Sequence, residues 1–173
     1  GAFHPYFLTP DHKLKAFVPE LCRSVKFDFD GEDDYKSVPV FKYTTPKDFF
    51  NLHSSNNSND KCYCIDKDSG EDKCDVDGVL PISQCEKGAP FYISLPHFLY
   101  GDKKLLSNFD GLSPSPQKHQ SYLWLEPQLG IIVKAERSLQ LNIKIKADPN
   151  VKWVTIQISY KYLNFKNKIF LLP

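Results

Sequence analysis

The chain has 173 residues with 22 basic and 21 acidic side chains, a length that suits one domain. The formal net charge of +1 excludes a strongly basic surface, so neither a nucleic acid partner nor a polybasic membrane tether is expected. Hydrophobic residues at 41% and aromatic residues at 14% are enough to fill a core, which excludes a disordered chain. The five cysteines are an odd number, so in a disulfide-bonded protein one thiol would be free or paired outside the chain.

Alternating apolar and polar residues predict strands in the first part of the chain. Val25, Phe27 and Phe29 would share the buried face of one strand, and residues 31–34 would form the turn after it. A second extended segment over 38–43 would follow this turn.

The sequence from Thr45 to Asp48 predicts a short helix that continues to Leu52. A Thr cap, a Pro at the first helical position and an early carboxylate all favour helix initiation. A second short helix is expected over 102–109, before the glycine stop at Gly111. The remaining strands are expected at 91–95, 139–146, 156–159 and 169–173. Together these elements predict a mainly β fold, an antiparallel sheet or barrel with short helices.

Residues 53–88 are rich in Ser, Asn, Asp, Lys and Gly and hold Cys62, Cys64, Cys74 and Cys85. We expect a polar loop region pinned by disulfides. A zinc site that includes His53 is the alternative, because thiolates and imidazole are the ligands that zinc prefers. Structural zinc sites usually place about two to four residues between paired cysteines. A single residue separates Cys62 from Cys64, so the spacing favours disulfides.

A catalytic cysteine with His97 or His119 as its base is a further alternative, since a thiolate nucleophile needs a base within hydrogen-bond reach. No spacing in the sequence supports this pairing, and no third, orienting group is evident. A histidine between Pro96 and Phe98 is typical of a packed structural residue. We therefore predict no catalytic residue, no metal site and no enzymatic activity.

The tripeptide from Asn56 to Ser58 matches the acceptor pattern for N-glycosylation and lies in the polar region. A glycosylation acceptor and clustered cysteines are both typical of the secretory route. They predict that this segment faces the lumen of an organelle or the cell exterior.

The ends of the chain predict a piece of a longer protein. Gly1 resembles the start of a cut or processed product, and the apolar run 169–173 has no polar tail after it. No run approaches the roughly 18 apolar residues of a membrane-spanning helix. We expect truncation at both ends.

The most specific motif in the chain is the run KGAPFYISLPHFLY at 87–100. It resembles the signature of the class B scavenger receptor family, of the fatty acid translocase and lysosomal integral membrane protein type. Further blocks follow the family order, at 3–5, 21–24, 38–40, 78–80, 110–114, 126–130 and 140–142. The resemblance covers residues 3–146 well and the remainder weakly.

The resemblance implies an antiparallel β-barrel ectodomain with short helices, anchored by a transmembrane helix at each end of the full protein. Residues 1–173 would be the C-terminal portion of this single ectodomain, with 53–88 as an insert. The family pattern also implies disulfides that join Cys22 with Cys85 and Cys64 with Cys74. Cys62 would pair with a cysteine upstream of Gly1.

The implied function is that of a receptor that binds lipids or lipoproteins and conducts apolar molecules through a barrel tunnel to the membrane. Its partners would be fatty acids, sterols or lipoprotein particles, with no cofactor. It would lie in the plasma membrane, facing outward, or in the lysosomal membrane, facing the lumen. The alternatives are a lysosomal trafficking receptor for a protein cargo and a secreted enzyme that uses Cys and His.

We hypothesise that inward-facing residues of two strands line the tunnel. The alternative is an ordinary core, because every barrel strand has an inward face. The candidate lining residues are Phe91, Ile93, Leu95, Leu139, Leu141 and Ile143.

Overall fold

The computed structural model describes residues 4–55, 63–64, 74–83, 85, 88–107, 109–144 and 169–172. Their strands are β1 (Leu14–Val18), β2 (Arg23–Tyr35), β3 (Val38–Thr44), β4 (Leu80–Pro81), β5 (Phe91–Ser94), β6 (Tyr122–Glu126), β7 (Ile131–Glu136), β8 (Gln140–Lys144) and β9 (Ile169–Leu172). The helices are short: α1 (Lys103–Ser107), α2 (Pro116–His119) and two 3-10 turns at Pro19–Leu21 and Pro96–Phe98. The predicted strand at 156–159 lies outside the described residues.

The strands form two sheets, ordered β1-β2-β3-β6-β7 and β4-β5-β8-β9. Neighbouring strands are antiparallel except β8 and β9, which are parallel. The prediction of a mainly β, antiparallel fold with short helices is confirmed. No helix in the described ranges is long and apolar enough to cross a membrane.

Strand β2 shows the expected alternation but is longer than expected. Val25 and Phe27 are buried while Lys26 and Asp28 between them are exposed. The predicted turn at 31–34 is wrong, because these residues continue β2 and pair with β3. Gly31, at φ +129°, marks a bulge in the pairing, and the chain reverses at Lys36 and Ser37 instead. Pairing with β3 outweighs the turn preference of Gly and Asp.

The predicted helix from Thr45 to Leu52 is also wrong. The segment makes two overlapping turns, in which the Phe49 N–H donates to Pro46 O and the Asn51 N–H to Asp48 O. These turns bury Phe50 and Leu52 in the core. The burial of these two side chains stabilises the segment in place of the continuous backbone hydrogen bonds of a helix.

The second sheet is covered on both faces. On one face, Ile93 pairs with Leu141 and both belong to or pack on the larger core cluster. On the other, Tyr92 joins a second cluster with Phe98 and Leu105. Because both faces are covered, the polar side chains of Gln140 and Asn142 on β8 are buried.

A buried polar network occupies this second face. Ser94, Gln140 and Asn142 are fully buried. The Gln140 side-chain amide donates to Asn142 Oδ1 at 2.7 Å, and the Asn142 amide donates to Ser94 Oγ at 3.1 Å. Gln140 Oε1 also accepts from the His97 backbone N–H at 2.9 Å. The network therefore fixes β5, β8 and the turn at Pro96–Phe98 to one another.

The larger core cluster joins the two sheets. Val25, Phe27 and Tyr43 come from the first sheet, and Leu80 and Ile93 come from the second. The two sheets therefore share one hydrophobic core.

The outer face of the first sheet gives a prediction about pH. The Trp124 indole N–H donates to Asp33 Oδ2 at 2.8 Å. This bond, followed by the Asp34 backbone N–H, lowers the pKa of Asp33 below its ordinary value. The carboxylate form therefore stabilises the fold above the ordinary pKa of Asp, and this contribution is lost as the pH falls through the lowered value. We expect Trp124→Phe to raise the pKa of Asp33, as measured by ¹³C NMR. An unchanged pKa of Asp33 in this variant would show that the Trp124 indole does not lower it.

Candidate functional site

An apolar cavity of about 500 Å³ lies against the inner face of the first sheet. Inward-facing side chains of four strands line it, because the strand alternation directs one apolar set inward. Ala16 on β1 lies directly across from Val25 on β2 in the strand register. The apolar wall consists of Ala16, Val18, Leu21, Val25, Phe27, Phe49, Phe50, Leu95, Leu123, Ile132, Ala135 and Leu139.

The structure separates the six candidate tunnel residues into two groups. Leu95 and Leu139 lie on the cavity wall. Phe91, Ile93 and Leu141 belong to or pack against the larger core cluster, and Ile143 is half-buried across from Phe91. All six residues lie on the same side of the second sheet or of the residues that flank its strands. Only the end of that side nearest the first sheet, with Leu95 and Leu139, borders the cavity.

The rim of the cavity is polar and held by hydrogen bonds. The Gln120 amide donates to Thr45 O at 2.8 Å and to Thr45 Oγ1 at 3.2 Å. Ser121 Oγ accepts from the Ser138 N–H at 3.0 Å. Glu136 and Arg137 complete the rim with one charge of each sign. The site thus combines an apolar body with a polar mouth, the composition of a binding site for an apolar or amphipathic molecule.

Four cysteines form two disulfides in the structure. Cys22 joins Cys85 with a Cα–Cα distance of 6.1 Å, and Cys64 joins Cys74 at 5.1 Å. These are the two pairs that the resemblance implies. Cys62 and Asn56 lie outside the described residues.

Four of the cysteines that were candidates for catalysis or zinc binding are in disulfides. A sulfur in a disulfide can serve neither as a thiolate nucleophile nor as a zinc ligand. No group of three or more His, Cys, Asp or Glu in the described part of the chain could hold a metal ion. His97 and His119 stack on each other, with ring centroids 4.5 Å apart.

A second, polar pocket of about 860 Å³ lies beside β1 and β2. Lys15, Lys26 and Arg23 line it, together with Asp28 and Asp48. Its charges are mixed, so no single ligand charge is favoured.

Arg23 was not singled out by the sequence reasoning, although it connects this pocket to the core. It is buried, and its guanidinium carbon lies 4.9 Å from the Phe49 ring centroid and 4.4 Å from that of Tyr63. Phe49 lines both the polar pocket and the apolar cavity. The signal in the sequence is the alternation itself, which places a cation on the same face of β2 as Val25 and Phe27.

Comparison with known proteins defines the class of protein to which this fold and cavity belong. A sequence profile described as the CD36 family matches residues 1–163. The chain belongs to this family, the class B scavenger receptors, and the resemblance found from the motifs is confirmed.

Similar curated proteins include human Lysosome membrane protein 2, at 34% identity over 84% of this chain and 28% of that protein. Sensory neuron membrane protein 2 of Ostrinia furnacalis is 37% identical over 80% of this chain and 27% of its own length. Scavenger receptor class B member 1 of Cricetulus griseus is 32% identical over 82% and 26%, respectively. The chain therefore spans about a quarter of the length of these relatives.

Proposed function

We propose that this chain is part of a receptor ectodomain whose apolar cavity binds the hydrocarbon part of a lipid. The observation that carries the proposal is the cavity of about 500 Å³ with an apolar wall and a polar rim. This volume falls within the roughly 300–1,000 Å³ typical of small-molecule sites. Fatty acids and sterols have the matching chemistry, an apolar body with a polar end.

Transfer from water would drive binding, with no covalent chemistry. Each methylene that leaves water for an apolar wall contributes roughly 0.8 kcal/mol. To bind against the wall of Ala16, Val25 and Leu139, a ligand needs only an apolar surface and a width that fits the cavity. The exposed rim residues Glu136 and Arg137 would leave the ligand's polar end in water.

In the whole protein, we propose that this cavity is one stretch of a barrel tunnel that conducts apolar molecules toward a membrane. Residues 1–173 would form the C-terminal portion of the ectodomain, with membrane anchors outside it. The printed names of the relatives, a lysosome membrane protein and a scavenger receptor, support a site on the lysosomal luminal face or the cell exterior. Lipoprotein particles are then possible partners at the cell surface.

Two features outside the described residues complete the proposal. Asn56 would carry an N-linked glycan, since its tripeptide matches the acceptor pattern. Cys62 would pair with a cysteine outside residues 1–173, since the other four cysteines are bonded to each other.

A receptor for a protein cargo remains the alternative within the family, because the same fold supports it. A secreted enzyme with a cysteine nucleophile would have to use Cys62, because the sulfurs of Cys22, Cys64, Cys74 and Cys85 are all in disulfides.

Filling the cavity tests the proposal. Ala16→Phe places a ring in the cavity and should weaken binding of radiolabelled palmitate or cholesterol at least tenfold. Tenfold corresponds to about 1.4 kcal/mol, or the loss of about two buried methylenes. Equilibrium dialysis measures the binding.

The matched control is Ala89→Phe, which adds the same ring at a half-buried alanine away from the cavity. It should bind palmitate as the unmodified chain does. Equal weakening by both substitutions, or by neither, would contradict the cavity as the lipid site.

A further inference from the structure

The hairpin of β2 and β3 carries an acidic stretch that ends in a tyrosine. Glu32, Asp33 and Asp34 directly precede Tyr35, the last residue of β2. The three acidic residues are exposed and Tyr35 is half-buried, and the tip that follows is exposed over 36–39. A surface with this many carboxylates is suited to water, because burying unpaired charges is costly.

The backbone of this acidic stretch is extended and has an open edge. Strand β1 pairs with β2 over 23–27 only, whereas β3 pairs with it over 28–35. Among the described strands, none lies along the other edge of 28–35. Lys36 and Ser37, with φ of 52° and 64°, reverse the chain in two residues. An enzyme can bind an extended strand of this kind by adding it to the edge of its own sheet.

The Tyr35 ring lies on the outer face of the first sheet. Asp33, two positions earlier, accepts a hydrogen bond from the Trp124 indole. Lys134 Nζ lies 4.1 Å from the ring centroid of Trp124 and 5.9 Å from that of Tyr35. Because alternate residues of a strand share a face, Asp33 and Tyr35 both point away from the core. Tyr43 on β3 is the opposite case, since it is fully buried in the core.

Two ammonium groups lie beside the Tyr35 ring. Lys36 Nζ is 5.4 Å from the ring centroid, and Lys134 Nζ is 5.9 Å from it. A negatively charged group on the phenol oxygen would be attracted by both cations, and this attraction would offset repulsion by the neighbouring carboxylates. The surroundings of the ring therefore suit an anionic ester of Tyr35.

The charge before Tyr35 is complementary to one kind of modifying enzyme. An enzyme that transfers sulfate binds an anionic phosphosulfate donor, and positive charge around its active site attracts an acidic substrate. Residues 32–36 hold three acidic side chains and one basic side chain, so the segment has this complementary charge. Tyr6 is more exposed, at 72%, but none of the five residues before it is acidic. Tyr6 thus has the exposure without the charge.

We propose that Tyr35 is an acceptor site for O-sulfation by a tyrosine sulfotransferase of the secretory pathway. The choice of sulfate rests on the proposed position of this segment in an organelle lumen or at the cell exterior. The phenolic oxygen attacks the sulfur of a phosphoadenosine phosphosulfate donor. An O–S bond forms while the bond from sulfur to the bridging phosphate oxygen breaks. Adenosine bisphosphate leaves with the electron pair of that bond, and the phenol proton passes to a base of the enzyme.

Sulfate transfer to the purified, folded 173-residue chain tests the proposal. The chain is incubated with a purified tyrosine sulfotransferase and a donor that carries radioactive sulfur, and the labelled peptides are identified by mass spectrometry. We expect label on the peptide that contains Tyr35. Tyr35→Phe should abolish this label, whereas Tyr6→Phe should leave it unchanged.

Charge variants test whether the acidic stretch is recognised. Asp34→Asn removes a carboxylate next to Tyr35 and should lower the initial rate of labelling severalfold. The matched control is Asp110→Asn, which removes an exposed carboxylate from another loop and should leave the rate unchanged. Asp33 is kept in both variants because its hydrogen bond with Trp124 holds the hairpin. Circular dichroism verifies that each variant is folded.

Three results would overturn the proposal. They are the absence of label on the Tyr35 peptide of the unmodified chain, faster labelling of Tyr6 than of Tyr35, and equal labelling rates with and without the Asp34 carboxylate. The assay contains neither lipid nor a cellular compartment. These results would therefore count against the sulfation site, and not against the lipid cavity or the luminal or extracellular position.

Discussion

Replacing both Cys22 and Cys85 with alanine is expected to lower the free energy of unfolding by about 4 kcal/mol. The two residues are 63 positions apart, and closing a loop of this length removes that much chain entropy from the unfolded state. The bond ties the start of β2 to the segment after β4, and so links the two sheets covalently. Urea unfolding followed by circular dichroism measures the change.

The Cys64→Ala/Cys74→Ala double variant is the matched comparison. This disulfide closes a loop of only 10 positions, so the same relation gives a loss of about 3 kcal/mol. A larger loss for this pair than for Cys22 and Cys85 would show that chain entropy does not govern the order. Packing would then determine which disulfide contributes more to stability, since Cys64 and Cys74 are both in the core.

Alternation in the sequence predicts strands well where a strand has one buried and one exposed face. Val25 and Phe27 are buried as expected, and the strand at 91–95 is present as β5. Local composition misleads where tertiary pairing decides. Residues 31–34 have turn-forming composition but extend β2, because β3 lies alongside to pair with them.

The cavity shows a different limit of sequence reasoning. Alternation identifies which residues face inward, but it cannot tell which inward residues border an open space. Ile93 and Leu95 lie on the same side of the chain in β5 and after it, yet only Leu95 reaches the wall. That difference depends on where the first sheet ends relative to the second, a relation between distant parts of the chain.

The histidine pair shows a similar limit in predicting side-chain contacts from the sequence. His97 and His119 could be recognised individually, and the sequence offered only a comparison with catalytic sites or with packed structural residues. Their stack depends on the fold of the loop between them, and each Nδ1 accepts a hydrogen bond from a serine amide of that loop. Neither contact has a signature in residue spacing.

A side chain at Gly78, a buried position, is expected to destabilise the fold strongly. The Gly78 backbone N–H donates to Phe50 O at 2.9 Å, and its φ of +98° is one that residues with a Cβ rarely adopt. A Cβ at this position would collide with the backbone of Gly101. Directly beside this contact, the Asp102 N–H donates to Asp77 O at 3.0 Å, so the two segments cannot separate without breaking it.

Gly78→Ala should therefore cost more than backbone strain alone. A positive φ costs an alanine about 1–2 kcal/mol, and overpacking against a backbone adds about 1–3 kcal/mol because no side-chain rotation relieves it. We expect a total loss of about 2–5 kcal/mol, measured by urea unfolding. The control is Gly111→Ala, where φ is +80° but no atom lies within 4 Å of the added Cβ. This control should show the conformational cost alone. Equal losses at the two positions would mean that the approach of Gly78 to Gly101 places no steric limit on the fold, whereas a larger loss at Gly78 would assign the excess to that backbone contact.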